Sequence, residues 1–475
     1  MIRSYAPTFV VMALLLPAPA ASAQETQTHS ATPPPVSLTL EQALQYASDH
    51  YPTVRAALEE VNAYAAGVDV AKSAYLPRLD SLWQSNRGTA NNIFGQVLPQ
   101  SVIPSMSGPV LTSSSGESVW GSATGALFSW EPFDFGLRHA AVVGAEAAVA
   151  RARAGEALTR LDVQTAVGTA FLNLVGAQRA VAALQADLDR RDLLSRAVHT
   201  LVDNQLRPGA EASRSDAERA AARTRLIQAQ ETVTLAQITL ARVLGVTTGS
   251  VAVDATTLVD RLPTDASIVA TTTHPLAQLH QAAIEVARAQ ENVLSRTDLP
   301  RVYFQSSVFA RGSGANPNGQ LDGGVSGLGL DRANWAAGVQ VVFPNAFDFT
   351  SLRARKAAAA ASARAETALY DEAMLTVTTQ QQTAAARVQA ARAVAANTPV
   401  QLAAAQQSEA QAIARYQAGL ASIVEVADAQ SLLAQAEVQD QLARIDVWRA
   451  LLAQSAAYGT LTPFVSQLNP SAGAR

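Results

Sequence analysis

Two kinds of hydrophobic spacing alternate along the chain. From about Leu137 to Asp203, apolar residues recur at steps of three and four, through Val167, Phe171, Leu174, Ala177, Val181, Leu184 and Leu188. The series resumes at Leu194, Val198 and Leu201, with Arg191 as the one interruption. That spacing is a coiled-coil seam. No proline breaks it, and at about 1.5 Å per residue such a helix runs on the order of 100 Å, longer than the core of a globular domain. Similar alanine-rich stretches predict helices over about 213–244, 351–416 and 423–458, and Pro399 is expected to kink the 351–416 helix. Shorter helices are predicted at 40–75 and 275–297. The first starts at Leu40, where Thr39 with Gln42 makes a capping box, and pauses at His50; Pro52 opens its second part and Pro77 ends it.

Elsewhere the period changes to two. Segments 78–87 and 118–131 alternate, with Trp120, Ser122, Thr124, Ala126, Phe128 and Trp130 on one face. Segments 302–311 and 333–343 do the same, with Trp335, Ala337, Val339, Val341 and Phe343 opposite Asn334, Ala336, Gly338 and Gln340. Between the members of each pair lie stretches rich in Gly, Ser, Asn and Pro, Gly88 to Glu117 and Gly312 to Arg332, which read as long surface loops. Each pair is therefore a long-looped hairpin.

The order of these elements occurs twice. Tyr51 to Arg87 aligns without a gap onto His274 to Ala310 (274 − 51 = 223), so that Pro52 meets Pro275, Val70 meets Val293, and Leu76-Pro77-Arg78 meets Leu299-Pro300-Arg301. Trp130 to Gly136 recurs loosely at Val342 to Phe349, and each copy leads into long helices joined through a glycine, Gly209 or Gly419. The chain divides into repeats at 38–250 and 274–462, a linker at 251–273 and a tail at 463–475. Duplication of a whole mixed unit points to a pseudo-symmetric assembly. Four strands cannot close a barrel within one chain, and open sheet edges are not tolerated in lipid. A trimer supplies twelve strands, an allowed number, and bundles twelve helical columns. The spacing permits, without requiring, a mixed α/β membrane protein: a trimeric twelve-stranded β-barrel continued by a long α-helical barrel.

Composition narrows the setting. Arg3, the apolar run Phe9 to Leu16 and Ala21-Ser22-Ala23 have the layout of a cleaved signal peptide at 1–23, followed by a Pro33-Pro34-Pro35 leader to residue 37. No later stretch approaches the roughly 20 uninterrupted apolar residues of a membrane helix. There are no cysteines, so neither disulfides nor an N-terminal lipid anchor are expected. A net charge of −4 with interspersed signs gives no footprint for nucleic acid. The 6 histidines are scattered, and neither a His-Glu-x-x-His zinc motif, a phosphate loop nor a Gly-x-Ser-x-Gly elbow occurs, so no enzyme, metal or cofactor is expected. Trp83, Trp120, Trp130, Trp335 and Phe343 lie on or at the ends of the strands, where aromatic rings favour a membrane interface.

These residues resemble the outer membrane efflux proteins of Gram-negative bacteria, the TolC-like exit ducts. The resemblance rests on Leu38-Thr39-Leu40-Glu41-Gln42-Ala43-Leu44, on Tyr75-Leu76-Pro77-Arg78-Leu79, on Pro132-Phe133-Asp134-Phe135-Gly136 and on the segment Arg415 to Gln430, in that order and duplicated. It implies a homotrimer in outer membrane lipid with a periplasmic helical tunnel. It implies a passive duct in a tripartite efflux or type I secretion system, served by a periplasmic adaptor and an inner-membrane pump. Carried over, the acidic ring of the periplasmic entrance falls on Glu425 and Asp428, with Asp216 as a first-copy contributor. Adaptor docking falls on Gly209, Ala210, Gly419 and Leu420. Three copies of two carboxylates at a narrowing favour cations. The rival reading is a periplasmic coiled-coil adaptor or scaffold without a pore, its strands forming a small closed domain.

Overall fold

A computed structural model describes residues 37–89, 91–92, 97–104, 109–246, 251–255, 258, 263, 274–344 and 349–468. The signal peptide, nearly all of the leader, most of the linker and the end of the tail lie outside the described residues.

The chain opens with β1 (Ser37–Leu38), which pairs in parallel with β4 (Ala252–Val253). Next come α1 (Leu40–His50) and α2 (Pro52–Ser73). The capping box of α1 is formed: the Gln42 amide donates to Thr39 Oγ1 at 3.3 Å, and the Thr39 amide donates to Gln42 Oε1 at 3.0 Å. Strands β2 (Arg78–Thr89) and β3 (Ser118–Phe133) precede the long α3 (Leu137–Asp203) and α4 (Gly209–Leu244). The second copy supplies α5 (Pro275–Arg296), β5 (Arg301–Ser313), β6 (Arg332–Val342), α6 (Phe349–Gln417) and α7 (Ile423–Ala457), and α8 (Thr462–Leu468) follows. Helix α4 begins four positions earlier than its apolar pattern suggests, because Pro208 at the N-cap holds an extended backbone from which the helix starts directly. Helix α6 passes Pro399 without interruption. Beside it, the buried Thr398 hydroxyl donates to Asp440 Oδ1 of α7 at 2.9 Å, tying the weakened turn to its neighbour.

The strand-to-helix motif at 132–136 has a plain role. Asp134 accepts from the amides of Gly136 and Arg138 at the start of α3, and the Arg138 guanidinium returns to Asp134 and to the Ala74 carbonyl. Gly136 sits at φ +86, a conformation glycine adopts without a Cβ penalty.

The short helices abut end to end. Gly245 ends α4 at φ +76, and a Cβ there would lie 3.6 Å from Pro52 Cδ at the start of α2. Gly459, just past α7, has φ +81, and its Cβ would lie 2.6 Å from Pro275 Cδ at the start of α5. Each short pair thus forms one column beside a long helix. At the second junction His274 caps α5: Nδ1 accepts from the Leu276 amide at 3.1 Å and Nε2 faces the Ala456 carbonyl at 3.2 Å. Both contacts require the neutral ring with its proton on Nε2. Burial pushes the His274 pKa below the ordinary value, against smaller upward pulls from the Ala456 carbonyl and Asp162. Its stabilising contribution is therefore present above the unfolded value of about 6.5 and is lost as pH falls through the lower folded value. Thermal melting of the detergent-solubilised protein is expected to drop by about a few degrees between neutral pH and mildly acidic pH. His274→Asn, which keeps a capping acceptor but does not titrate, should remove that part of the pH dependence.

A core where α1, α3, α4, α7 and α8 meet holds these columns together. Trp448 is buried there, donates from Nε1 to the Leu258 carbonyl at 2.9 Å, and meets Phe464 edge to face at 5.9 Å between centroids. Helix α3 includes an 18-residue window apolar enough by length and composition to cross a membrane, although polar residues interrupt it. Half of that window is buried inside the chain, and α3 brings Val167, Phe171, Leu172 and Leu174 to the core, so its apolarity serves packing.

The four long strands form one antiparallel sheet in the order β2-β3-β5-β6. Its register places Trp83, Thr124, Ala310 and Ala333 side by side, and Ser81, Ala126, Val308 and Trp335 in the next row. One face therefore carries Leu79, Trp83, Phe128, Trp130, Phe304, Val308, Trp335, Val339 and Val341. On it Trp83 is 72% and Trp335 78% exposed. The other face carries Asp80, Gln84, Asn86, Gln305, Ser307, Arg311, Asn334 and Gln340. Phe343 follows β6 and is exposed, and the Trp130 indole donates to the Tyr75 carbonyl at 3.2 Å. Trp120 differs from the others: it is half-buried, with the Arg87 guanidinium carbon 6.0 Å from its ring centroid.

Candidate functional site

The end of the helices remote from the sheet is built from two turns, α3 to α4 and α6 to α7. Both close in the same way. In the first, the Gln205 amide donates to the Val202 carbonyl and the Leu206 amide to the Leu201 carbonyl; in the second, Gly419 donates to Tyr416 and Leu420 to Arg415. This is the paired bonding of a Schellman helix end, whose penultimate donor residue is left-handed. That residue is Gly419 at φ +74 in the second turn and Gln205 at φ +60 in the first.

The two turns therefore align Gln205 with Gly419, and 419 − 205 gives 214, the same offset as 459 − 245 for the two junction glycines. This corrects the sequence reading, which matched Gly209 to Gly419. Gly209 is the first residue of α4, a Cβ on it would meet open space, and its backbone is not left-handed. The offset also moves the acidic register. Glu211 is the counterpart of Glu425, whereas Asp216 is the counterpart of Gln430. Sequence reading missed Glu211 for want of a repeat offset in the helices, and the pair Gly245 and Gly459 could have supplied one.

Glu425 and Asp428 lie three apart in the first turns of α7 and are both exposed. Glu425 has a long contact to the Arg415 guanidinium, 3.7 Å, and that guanidinium also donates to the Leu420 carbonyl at 3.3 Å. Beneath them Val198, Ala212, Tyr416, Ala421, Ile423 and Val426 form a small apolar cluster joining both turns. Tyr416 is its polar hinge. Its hydroxyl donates to Glu211 Oε2 at 2.7 Å, and Arg207 lies 4.6 Å over its ring while donating to its carbonyl at 2.8 Å. Burial, reinforced by the Glu211 carboxylate, pushes the Tyr416 pKa up to about 12, so it is a proton donor throughout the physiological range. Leu420 and its counterpart Leu206 are exposed at the apex of their turns, and Ala210 is exposed at the start of α4.

Above the tip, α3 buries a polar row beside the expected apolar seam. Asp187, Arg191 and Ser195 are buried on one face of α3 at successive steps of four, and half-buried His199 continues the row. Arg191 donates to Asp187 at 2.9 Å, to Glu218 of α4 at 3.1 Å and to Ser431 of α7 at 3.0 Å. Ser195 donates to Asp216 at 3.0 Å, and His199 Nε2 lies 3.0 Å from its other oxygen. These contacts, His199 first, hold the Asp216 carboxyl below the usual carboxylate range. Asp216 is thus engaged with α3, unlike the open pair on α7.

A sheet with one exposed apolar face and one polar face, leading into long helical hairpins tipped with carboxylates, has the parts of an outer-membrane channel with a helical extension. The chain belongs to the outer membrane efflux protein family, which it matches over residues 43–246 and 273–460, one segment for each repeat. No curated protein sequence is a significant match. Among solved structures, it is similar to the outer membrane protein VceC of Vibrio cholerae, with 18% identity, TM-score 0.71, and coverage of 89% of this chain and 96% of that one. It is also similar to the CmeC outer membrane channel of Campylobacter jejuni, with 15% identity, TM-score 0.71, and coverage of 88% and 85%. The open MtrE outer membrane channel of Neisseria gonorrhoeae matches with 18% identity, TM-score 0.66, and coverage of 89% of both chains. The protein is a pore-forming outer membrane efflux channel, and its family consists of channel proteins rather than enzymes; the scaffold without a pore is the weaker reading.

Proposed function

We propose that three copies close a twelve-stranded barrel and a twelve-column helical tunnel, forming a passive exit duct for a periplasmic adaptor and an inner-membrane pump. The observation that carries this is the four-stranded sheet: among the described residues β2 and β6 each have a strand partner on one side only, and the exposed apolar face supports closing these edges into a barrel in lipid. Energy comes from the pump. Export follows cleavage of residues 1–23. The closed tip is held by the Tyr416 cluster, and adaptor docking at Gly209, Ala210, Gly419 and Leu420 favours a dilated state by binding it more tightly. Structural equivalence adds Leu206 to that docking surface.

Glu425 and Asp428 of three copies form the cation-selective entrance in this reading, with Glu211 behind them. Planar-bilayer recording of the detergent-extracted protein with a multivalent cation on the helical side tests it. The Glu425→Ala, Asp428→Ala double variant is expected to need about tenfold more cation for half-block, a change of about 1.4 kcal/mol in cation binding. Unchanged block would remove these two residues from the entrance, and a protein that never conducts would remove the duct.

A further inference from the structure

The two long hairpin loops leave the sheet on opposite faces. The β5–β6 loop lies over the apolar face, where the Ser122 hydroxyl donates to the Gly327 carbonyl at 3.1 Å. The β2–β3 loop instead returns over the polar face. Ile103 is buried there against Leu82, Ala123 and Phe309, all of which the register places on that face. The contact leaves no room for a side chain at Gly125, whose Cβ would come within 2.8 Å of Phe309 Cβ and 3.3 Å of Ile103 Cγ1.

Polar contacts fix both ends of the segment 97–104. The Leu98 amide donates to Gln84 Oε1 at 3.0 Å, and Arg311 donates to the Pro104 carbonyl at 2.9 Å. Gln100 braces it from within, its Oε1 accepting from the amides of Val102 at 2.6 Å and Ile103 at 2.7 Å, and its Nε2 donating to the Ile103 carbonyl at 3.0 Å. Gln84 and Arg311 are nearly fully buried by this arrangement, although they belong to the face that would otherwise be wet. What holds the loop is the burial of Ile103 and the hydrogen bonds at its two ends, which offset the cost of burying Gln84 and Arg311, whose Nε2 and Nε atoms lack partners among the described residues. Gln84, Ala123, Phe309 and Arg311 lie in the half of their strands remote from the helices, and Leu82 lies near the middle of β2.

We propose that residues 97–104 form a sieve inside the outer mouth of the barrel, with Ile103 as its anchor, setting the size of solute that can pass inward from the exterior. This rests on the reading of the polar face as the barrel lumen. Three copies project into one lumen, so the limit falls on bulky solutes and spares small ones.

The test uses whole cells and is independent of the helical tip. The chain has 0 cysteines, so Gln340→Cys places a single thiol on the polar face, near the helix-side end of β6. Membrane-impermeant maleimides, one small and one carrying a bulky polymer, are added from outside. With the loop intact, the small reagent is expected to label and the bulky one to label slowly. Adding Ile103→Asp should raise bulky labelling about tenfold while leaving small-reagent labelling unchanged, since one buried apolar anchor is lost. Gln100→Ala, which removes the internal brace without touching a strand, should act in the same direction and replaces Ile103→Asp if that variant does not reach the membrane. Equal bulky labelling with and without the anchor overturns the sieve but leaves the duct intact. Failure of the small reagent to label the otherwise intact chain overturns the lumen reading itself.

Discussion

Arg191→Met is expected to destabilise the helical region by about 3–5 kcal/mol, measured by denaturant unfolding of the detergent-solubilised protein. The reason lies in what is left behind. The side chains of Arg191 and Asp187 are 2% and 0% exposed, and Arg191 joins α3, α4 and α7 through Asp187, Glu218 and Ser431. With Arg191 gone, the remaining cation beside Asp187 is Arg225 at 3.4 Å, which is itself partly exposed and reaches the other carboxylate oxygen. A buried carboxylate held by one long contact bears most of its desolvation cost uncompensated. Removing the charge along with its partner should behave differently. The triple variant Asp187→Leu, Arg191→Met, Glu218→Gln is expected to recover most of the loss, because apolar groups of similar volume do not require compensation in the same position. If Arg191→Met costs less than about 1 kcal/mol, the network contributes no more than an exposed ion pair, and the packing of Val198 and Tyr416 below it must hold the three helices.

That network also shows where sequence reading stops. The three-and-four spacing fixed α3 from Leu137 to Asp203 because a continuous seam with no proline has few alternatives, and the period-two faces located all four long strands. Burial beside the seam was not legible, since Asp187, Arg191 and Ser195 repeat every four residues and a solvated face has the same spacing. Only the partners on α4 and α7, distant in sequence, distinguish a buried polar row from an exposed one. Glu425 and Asp428 on α7 are singled out by the family motif alone, and the entrance role proposed for them rests on it. Glu211, the counterpart of Glu425, was not legible, because Gln205 occupies a left-handed position that glycine would have marked. The return of the β2–β3 loop over the polar face was hidden for a related reason: its Gly, Ser, Asn and Pro content suits any surface loop, and nothing in the sequence distinguishes the buried Ile103 from its apolar neighbours Val97, Leu98 and Val102.

The second large effect is expected at the tip. Arg207→Ala combined with Tyr416→Phe should raise the open fraction of single channels about tenfold in a planar bilayer without adaptor. The two substitutions remove the hydrogen bond from Tyr416 to Glu211, the contact from Arg207 to the Tyr416 carbonyl, and the stacking of guanidinium on ring. A hydrogen bond to a charged group contributes about 1.5–3 kcal/mol, and a shift of that size moves a two-state equilibrium by a factor of ten or more. These contacts run from the α3–α4 turn to the end of α6, so at the tip they join the two hairpins beside the small apolar cluster, below the Arg191–Ser431 and Arg190–Glu437 contacts that tie the same hairpins higher up. Arg415 is the matched control. Its contacts to Glu425 and to the Leu420 carbonyl stay within its own turn, and both side chains of the pair are about half exposed. An exposed pair is worth about 0–1 kcal/mol, so Arg415→Ala should leave the open fraction nearly unchanged. Equal opening by the two variants would mean that any loosening of the tip suffices. Opening by the first alone would assign closure to the tie between hairpins, and would place the adaptor's work at the α3–α4 turn, where Arg207 and Glu211 flank Gly209.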